Sequence, residues 1–430
     1  MRAVILSIGD ELILGQTVDT NAAWLSAQLA TIGISIKEHI TVGDDLAAIA
    51  DHLRRAEKSS DVIIATGGLG PTDDDLTRYA LADVLEADLC LDERSLQRIE
   101  EFFVQRERTM PERNRSQAMF PEGCEVIPNP SGTAPGILAE IGSESEGGKA
   151  LAFFLPGVPR EMKDMYTDFV EGRLRNLLEN KGKTEVIVTR TIHTVGAGES
   201  MIAEWLGDMM VRGMNPIVNS TAGNMVVSLR INARAADEKT ARELIQPVEE
   251  ELVKRLGDYV FGYDSDTLAG VVGRLLRERG ETLAVAESCT GGWLGKKLTD
   301  IPGSSDYFKG GWVVYSNEAK IRQLGVEEDV LETQGAVSES VARQLASKAR
   351  EIAGADYGIG ITGMAGPGGG TEEKPVGLVY IAVADNNQVQ VKKHIFPGDR
   401  DMVRLRAVNL ALDLCRRQMT GRDQNQLFRR

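Results

Sequence analysis

Ala3-Val4-Ile5-Leu6-Ser7-Ile8-Gly9-Asp10-Glu11 decides the fold class. An almost unbroken apolar run that stops at a glycine fits a strand buried on both faces of a parallel sheet. The next segment reads as a helix. Ala22, Leu25, Leu29 and Ile32 fall on one face, Asn21 stands where a cap is needed, and Gly33 can close the end. Asp61 to Thr66 is a second buried strand, followed by a Gly-rich loop and a helical pattern in Leu76, Ala80, Leu81, Val84 and Leu85. Strands alternating with helices predict a parallel sheet covered on both faces, with ligands at the carboxyl ends of its strands.

Further along, Gly142 to Lys149 reads as a polar surface loop, and Leu151 to Leu155 runs into Pro156-Gly157-Val158-Pro159. The first domain is therefore 1–171. Residues 172–258 differ. Thr184 to Val195 is rich in β-branched residues, Val227, Leu229, Ile231 and Ala233 alternate with more polar neighbours, and Leu244, Val248, Leu252 and Leu256 form a helical stripe. This is a small α+β module. Gly257 to Asp266 reads as a linker. Residues 265–417 resume strand–helix alternation and end in a predicted hairpin, Val376 to Ala384 and Val389 to Phe396 across Asp385-Asn386-Asn387. Residues 418–430 are a polar tail. Three domains agree with 430 residues at roughly 150 per domain.

Composition narrows the function classes. The 64 acidic against 49 basic residues leave a net charge of −15, which repels a nucleic-acid backbone and makes that partner unexpected. Cys90, Cys124, Cys289 and Cys415 form no Cys-x-x-Cys pair and suggest a reducing compartment, hence the cytoplasm. No apolar run approaches the ~20 residues of a membrane helix, and the start reaches Gly9-Asp10-Glu11 too soon for a signal peptide.

Thr66-Gly67-Gly68-Leu69-Gly70-Pro71-Thr72-Asp73-Asp74-Asp75-Leu76-Thr77 follows a strand and opens a helix. Its backbone N–H groups and the helix N-terminus suit a phosphate. The aspartates have two readings. Asp74 or Asp75 can cap the helix. Alternatively, with Asp10 and Glu11 arriving at the same sheet edge, they can hold a hard divalent cation shared with phosphate oxygens. Asn129-Pro130-Ser131-Gly132-Thr133-Ala134-Pro135-Gly136 and Pro156 to Met162 can complete the pocket.

These motifs together resemble the molybdopterin-binding-like domain of the CinA (competence/damage-inducible protein A) family. The resemblance implies a three-layer α/β fold of MoaB/MogA type and hydrolysis of ADP-ribose at its pyrophosphate. It implies phosphate contacts from Gly67, Gly68, Gly70, Pro71, Thr72, Asn129, Ser131 and Thr133, and a divalent metal on Asp10, Glu11, Asp74 and Asp75. Relatives of the same fold bind molybdopterin, so fold alone does not choose the ligand.

A second constellation lies in the last domain. Ala286-Glu287-Ser288-Cys289-Thr290-Gly291-Gly292-Trp293 follows a buried strand and opens a helix. Ser288 there is either an N-cap or a nucleophile beside oxyanion-binding N–H groups. The base is the open question. His39, His52, His193 and His394 offer no supported triad, whereas Lys320 in Tyr315-Ser316-Asn317-Glu318-Ala319-Lys320 would serve if desolvated. A surface lysine is the plainer alternative. Pro302-Gly303-Ser304-Ser305 and Thr362 to Gly370 are further anion cradles.

In this order the blocks resemble the PncC-type C-terminal α/β domain of CinA, a nicotinamide mononucleotide amidohydrolase. The resemblance implies catalysis by Ser288, Tyr315 and Lys320 without a metal cofactor. It implies substrate contacts from Thr290, Gly291, Ser304, Ser305, Asn317, Thr362, Gly363, Gly366 and Gly368, with Arg400, Arg404 and Arg406 available for the phosphate. The middle module resembles a KH-like domain. Its turn, Gly196-Ala197-Gly198-Glu199, departs from the Gly-x-x-Gly clamp of RNA-binding members, and its 12 basic and 12 acidic residues from Arg173 to Asp258 balance. A spacer or dimerisation role is expected. The whole reads as a homodimeric, two-site nucleotide hydrolase. The competing class is a molybdopterin- or nucleotide-binding protein without turnover in its first domain, associated with competence.

Overall fold

The computed structural model describes residues 1–142, 149–180, 186–211 and 213–421. Most of the Gly142 to Lys149 loop, the start of the Thr184 to Val195 run and most of the 418–430 tail lie outside the described residues. Contacts divide the chain into two compact units, Met1–Val188 with Arg234–Arg242, and Thr189–Ala233 with Glu243–Arg430.

The first unit contains β1 (Arg2–Ile8), β2 (Ser35–Val42), β3 (Val62–Thr66), β4 (Leu89–Leu91), β5 (Met119–Pro121), β6 (Glu125–Ile127), β7 (Gly136–Ile141) and β8 (Ala150–Leu155). Its helices are α1 (Asp10–Ile13), α2 (Thr20–Thr31), α3 (Leu46–Glu57), α4 (Thr77–Leu85), α5 (Glu93–Val104), α6 (Pro159–Met165) and α7 (Glu171–Asn180). The main sheet has the order β2-β1-β3-β8-β7-β6, and β4 pairs with β5. Successive β1 residues face opposite layers. Val4, Leu6 and Ile8 pack with Ile49, Leu53 and Leu81 of α3 and α4. Ala3 and Ile5 pack with Leu25, Leu29 and Met162 of α2 and α6. This two-sided burial is what an unalternated apolar strand requires. The sheet is mixed, however. The β2-β1-β3-β8 half is parallel, while β7 pairs antiparallel with both β8 and β6. The connections there are too short for a crossover helix.

Helix α2 is capped by Asp19, which accepts from Ala22 N. Asn21 lies inside the helix and gives its amide to Gly157 O at 2.8 Å. Gly33 does close the end, at φ 80°.

The second unit holds two sheets. One has the order β10-β11-β9-β12, antiparallel in its β10–β11 and β9–β12 pairs, from β9 (Val186–Val195), β10 (Ile217–Gly223), β11 (Val226–Ala235) and β12 (Val260–Tyr263), with α8 (Glu199–Leu206) and α9 (Glu238–Leu256). The stretch expected as a linker thus contributes a strand, paired to β9. The other sheet, β14-β13-β15-β16-β17, comes from β13 (Leu283–Glu287), β14 (Phe308–Val313), β15 (Tyr357–Gly363), β16 (Leu378–Ala384) and β17 (Val389–Ile395). The predicted hairpin is there as β16 and β17. Around it lie α10 (Leu268–Arg279), α11 (Trp293–Thr299), α12 (Asn317–Leu324), α13 (Glu328–Gln334), α14 (Glu339–Ala353) and α15 (Arg400–Thr420). Leu283 and Val285 face α10 and α15, and Ala284 and Ala286 face α12 and α14. Among the described residues no helix is long and apolar enough to cross a membrane.

Candidate active sites

In the first unit, β1 and β3 run side by side to Ser7 and Thr66, and the Gly67–Asp75 loop leaves that edge. Gly67 stands at φ 104° and Gly68 at φ 65°, where a side chain is strained. A Cβ on Gly67 would strike the Ile8 carbonyl. Three side chains brace the loop. Thr77 Oγ1 donates to Gly67 O at 2.8 Å. Arg78, buried, donates to Leu69 O at 2.6 Å and Gly70 O at 3.1 Å. Asp75 accepts from Gly70 N at 2.7 Å, from Thr72 N at 2.8 Å and from the Thr72 hydroxyl. Asp75 is therefore a loop brace. It does not cap α4, whose N-cap position is held by Leu76.

A cavity of about 420 Å³ lies against this loop, with Gly67, Gly68, Gly70, Pro71, Glu11, Asp44, Asp74, Thr133 and Glu161 among its walls. Asp44, absent from the sequence-based candidates, exchanges hydrogen bonds with Asp10. Asp10 N donates to Asp44 Oδ2 at 2.9 Å, and Asp44 N to Asp10 Oδ1 at 3.1 Å. Burial raises the Asp44 carboxyl pKa above its ordinary value. A backbone hydrogen bond from Asp10 works against this, and the charges of Asp10, Glu11 and Asp74 add to the rise. The edge is acidic and self-repelling. Among the described residues, no three His, Cys, Asp or Glu side chains form a ready-made metal set. Asn129 and Ser131 tie the opposite wall. Asn129 Nδ2 donates to Glu161 Oε2 at 2.7 Å and Ala134 O at 2.9 Å, and Ser131 bonds Asp164.

In the second unit, Ser288 leaves the carboxyl end of β13, its N–H held by Ile361 O of β15 at 3.0 Å. The chain turns through Gly291 (φ 61°) and Gly292 (φ 90°) into α11. Glu287, 1% exposed, caps that helix from the strand before it, accepting from Leu294 N at 3.0 Å and Gly295 N at 2.8 Å. Lys320 comes from the first turns of α12, whose N-cap is Ser316. Its Nζ lies 3.2 Å from Ser288 Oγ, 2.9 Å from Val314 O and 3.1 Å from Tyr315 O. The side chain is 1% exposed, and burial pulls its pKa below the ordinary lysine range, with an opposing pull from Cys289. Among the described residues, no histidine is hydrogen-bonded to Ser288. Burial pushes the Cys289 thiol up to about 12, so it stays protonated at neutral pH. The buried Thr290 hydroxyl has no hydrogen-bond partner.

The other candidates are placed as follows. The Tyr315 ring is 62% exposed and its hydroxyl meets Arg400 at 3.1 Å. Only its backbone carbonyl touches Lys320. Arg400 also donates to Gly366 O at 2.5 Å, joining Tyr315 to the loop after β15. Thr362 gives its hydroxyl to Ala336 O at 2.7 Å. A Cβ on Gly363 would meet Leu378 O at 2.7 Å. Arg404 donates to Cys289 O at 3.2 Å and Thr290 O at 3.0 Å, and lies over the Trp293 ring, bracing the nucleophile turn. Asn317 is exposed at the start of α12, as is Gly368 in its loop. Ser304 and Ser305 are not brought to Ser288 within this chain. They precede β14, whose Phe308 pairs with Leu283 at the amino end of β13.

Three residues escape a reading by motif. Arg78 and Glu287 act on backbone groups, which leave no mark in residue type. Asp44 had a signal: Gly43-Asp44-Asp45 ends the strand that pairs with β1.

Three family models match the chain: "Probable molybdopterin binding domain" over residues 4–176, "Damage-inducible protein CinA KH domain" over 189–262, and "CinA C-terminal domain" over 265–419. A competence-damage inducible protein of Moorella thermoacetica is 44% identical over 419 residues, covering 97% of this chain and 99% of the relative. One of Clostridium kluyveri is 44% identical over 420 residues, covering 97% and 100%. The solved structure of competence/damage inducible protein CihA from Agrobacterium tumefaciens is 39% identical, covering 36% of this chain and 93% of that one, with a TM-score of 0.35. With a molybdopterin-binding-like domain, a KH-like domain and a CinA C-terminal domain in succession, the chain belongs to the CinA family of competence-damage inducible proteins.

Proposed function

We propose that the second unit is a serine amidohydrolase that converts nicotinamide mononucleotide to nicotinate mononucleotide and ammonia. The observation that carries this reading is the hydrogen-bond arrangement around Lys320. A neutral amine has two hydrogens and one lone pair. Two carbonyls, Val314 O and Tyr315 O, stand where they take the two hydrogens. In the uncharged form the lone pair faces Ser288 Oγ at 3.2 Å and the serine hydroxyl becomes the donor, whereas the charged ammonium donates to Oγ. Burial of the amine favours this uncharged form.

Ser288 Oγ attacks the carboxamide carbon and its proton passes to Lys320 Nζ. Gly291 and Trp293 give their N–H groups to Ser288 O and Thr290 O, which leaves the N–H groups of Cys289, Thr290 and Gly292 on this turn as the candidates for the oxyanion. Lys320 returns the proton to the amide nitrogen, the C–N bond breaks and ammonia leaves. Water then adds to the Ser288 ester, passing its proton to Lys320. Lys320 gives that proton to Ser288 Oγ as the ester C–O bond breaks, and nicotinate mononucleotide leaves as its carboxylate with the second water proton lost to solvent.

For the first unit we propose divalent-cation-dependent hydrolysis of the pyrophosphate of ADP-ribose. Glu11, Asp44 and Asp74 line the cavity but form no ready-made three-ligand set among the described residues, so a hard cation there would need phosphate and water oxygens as well. Such a cation would neutralise charge on the pyrophosphate oxygens. The chain's own part is the braced Gly67–Asp75 loop, which presents N–H groups to the phosphates. A second reading, binding of a molybdopterin-like ligand without turnover, is favoured by the match of residues 4–176 to a probable molybdopterin binding domain.

The test is an assay of both activities. Ammonia release from nicotinamide mononucleotide falls by about 10³-fold in Ser288→Ala and is untouched by EDTA. ADP-ribose cleavage stops with EDTA and returns with added divalent cation. Equal ammonia release by Ser288→Ala removes the first reading. Binding of ADP-ribose without cleavage at any cation concentration selects the second reading for the first unit.

A further inference from the structure

A cavity of about 300 Å³ lies within the second unit, lined from β9, β11 and β12 on one side and from α10, α11 and α15 on the other. Neither Ser288 nor Lys320 lines it, and the mechanism above does not use it. Its walls are mostly apolar. Phe261, Leu268 and Leu412 are buried there, with Val226 and Ile301 packed beside them. His193 adds a flat ring, stacked on Phe261 with centroids 5.7 Å apart and planes at 21°. Both its nitrogens are taken, Nδ1 by Ser228 Oγ and Nε2 by Asp264 O, each at 2.8 Å. His193 therefore offers a ligand its ring and no free nitrogen.

The charges around the cavity leave one sign over. Asp266 is paired with Arg274 at 2.9 Å and also accepts from Tyr263 N at 3.0 Å. Asp300 is paired with Lys296 at 2.7 Å. Lys297, half-buried in the cavity wall, has neither an ion pair nor a hydrogen bond among the described residues. Thr267 accepts from Gly270 N at 3.1 Å and keeps its own hydroxyl hydrogen. The groups still unsatisfied are thus donors, one of them cationic. A neutral apolar occupant would strip water from the ammonium without replacing it. A sugar gains little from the apolar walls, and a cation is repelled. A carboxylate on a flat apolar body meets both demands, since a charged acceptor pairs with the ammonium and the ring packs on the walls.

We propose that this cavity is a binding site for a small aromatic monocarboxylate, with its ring on the apolar walls and its carboxylate on Lys297. A volume of about 300 Å³ is at the small end of ligand pockets, so the body is one ring or two fused rings. The site is separate from the serine–lysine pair, and the proposal stands whichever way the two activities above are decided.

Two measurements on the full chain test it. The first is calorimetric titration with 2-naphthoate and with its neutral isostere 2-naphthamide. In wild type the acid binds at one site per chain and at least about tenfold more tightly than the amide, which is about 1.4 kcal/mol. Lys297→Met removes that preference by weakening the acid about tenfold, while Lys297→Arg, which keeps the charge, retains it. Saturating nicotinamide mononucleotide does not displace the acid. The second measurement needs no variant. Photolabelling of the wild-type chain with 4-benzoylbenzoate places the label, by peptide mass mapping, in residues 261–269, 297–301 or 409–412, and 2-naphthoate protects against it. No saturable binding of 2-naphthoate to wild type, equal binding of acid and amide, an affinity unchanged in Lys297→Met, displacement by nicotinamide mononucleotide, or label found only elsewhere would each overturn the proposal.

Discussion

Lys320 is the residue on which the proposed chemistry turns. A buried amine 3.2 Å from a serine hydroxyl is a general base only while uncharged, and burial lowers its pKa in that direction. The rate of amide hydrolysis therefore climbs with pH through an inflection below the ordinary lysine range. Lys320→Arg and Lys320→Met both lose about 10³-fold in kcat, within the range of general-base catalysis. A profile flat from pH 6 to 10 contradicts this assignment. The linkage has a definite sign. A lysine whose folded pKa is depressed contributes stability that is complete above its unfolded pKa and is lost as pH falls through the lowered value. Wild type accordingly gains stability relative to Lys320→Met as pH rises from 7 to 10, in denaturant melts.

At the residue scale, Ser288 and Lys320 were legible because each follows the end of a strand beside glycines or a cap, where side chains emerge at one sheet edge. The role of Tyr315 was not. A spacing of five residues says nothing about whether the ring or the carbonyl meets the lysine, and the ring is 62% exposed. Arg404 shows the same limit. Its charge suggested a phosphate, while its guanidinium is bonded to the carbonyls of Cys289 and Thr290.

At the scale of elements, the Gly67–Asp75 loop depends on one close approach. Gly67 needs φ 104°, and any side chain there collides with the carbonyl that ends β1. Gly67→Ala costs about 2 kcal/mol of stability and more in ADP-ribose turnover, since the loop must move off its seam. Equilibrium denaturation with a parallel activity assay checks it, and an Ala variant with wild-type values for both would show that the loop is not held there. The strands themselves were readable from unalternated apolar runs, as β1, β3 and β13 confirm. The antiparallel β6 and β7 were not. Their connections are shorter in sequence than a crossover helix needs, so no helical pattern marks the change of direction. β12 was hidden for a similar reason, being four residues inside a Gly- and Asp-rich stretch.

At the scale of the molecule, each of the two units holds a candidate site built wholly from its own residues. The second unit also contains a buried charge cluster. Asp413 is fully buried on α15 and accepts from Arg416 at 2.6 Å and Arg417 at 2.8 Å. Both arginines continue to Asp258 O, and Arg416 also to Val260 O, so the last helix is tied to the start of β12. Asp413→Asn keeps the shape and removes the anion. Leaving two buried cations without their carboxylate costs about 3–5 kcal/mol, read as a lower midpoint in urea. A midpoint unchanged from wild type would mean the pair is compensated elsewhere.

The most direct measurement of the central claim is to stop the reaction with nicotinamide mononucleotide in acid within milliseconds and map the peptides by mass. The account predicts a nicotinate mononucleotide ester on Ser288 in wild type and none in Ser288→Ala. Rapid ammonia release with Ser288 unmodified, or with the adduct on Cys289, would contradict it.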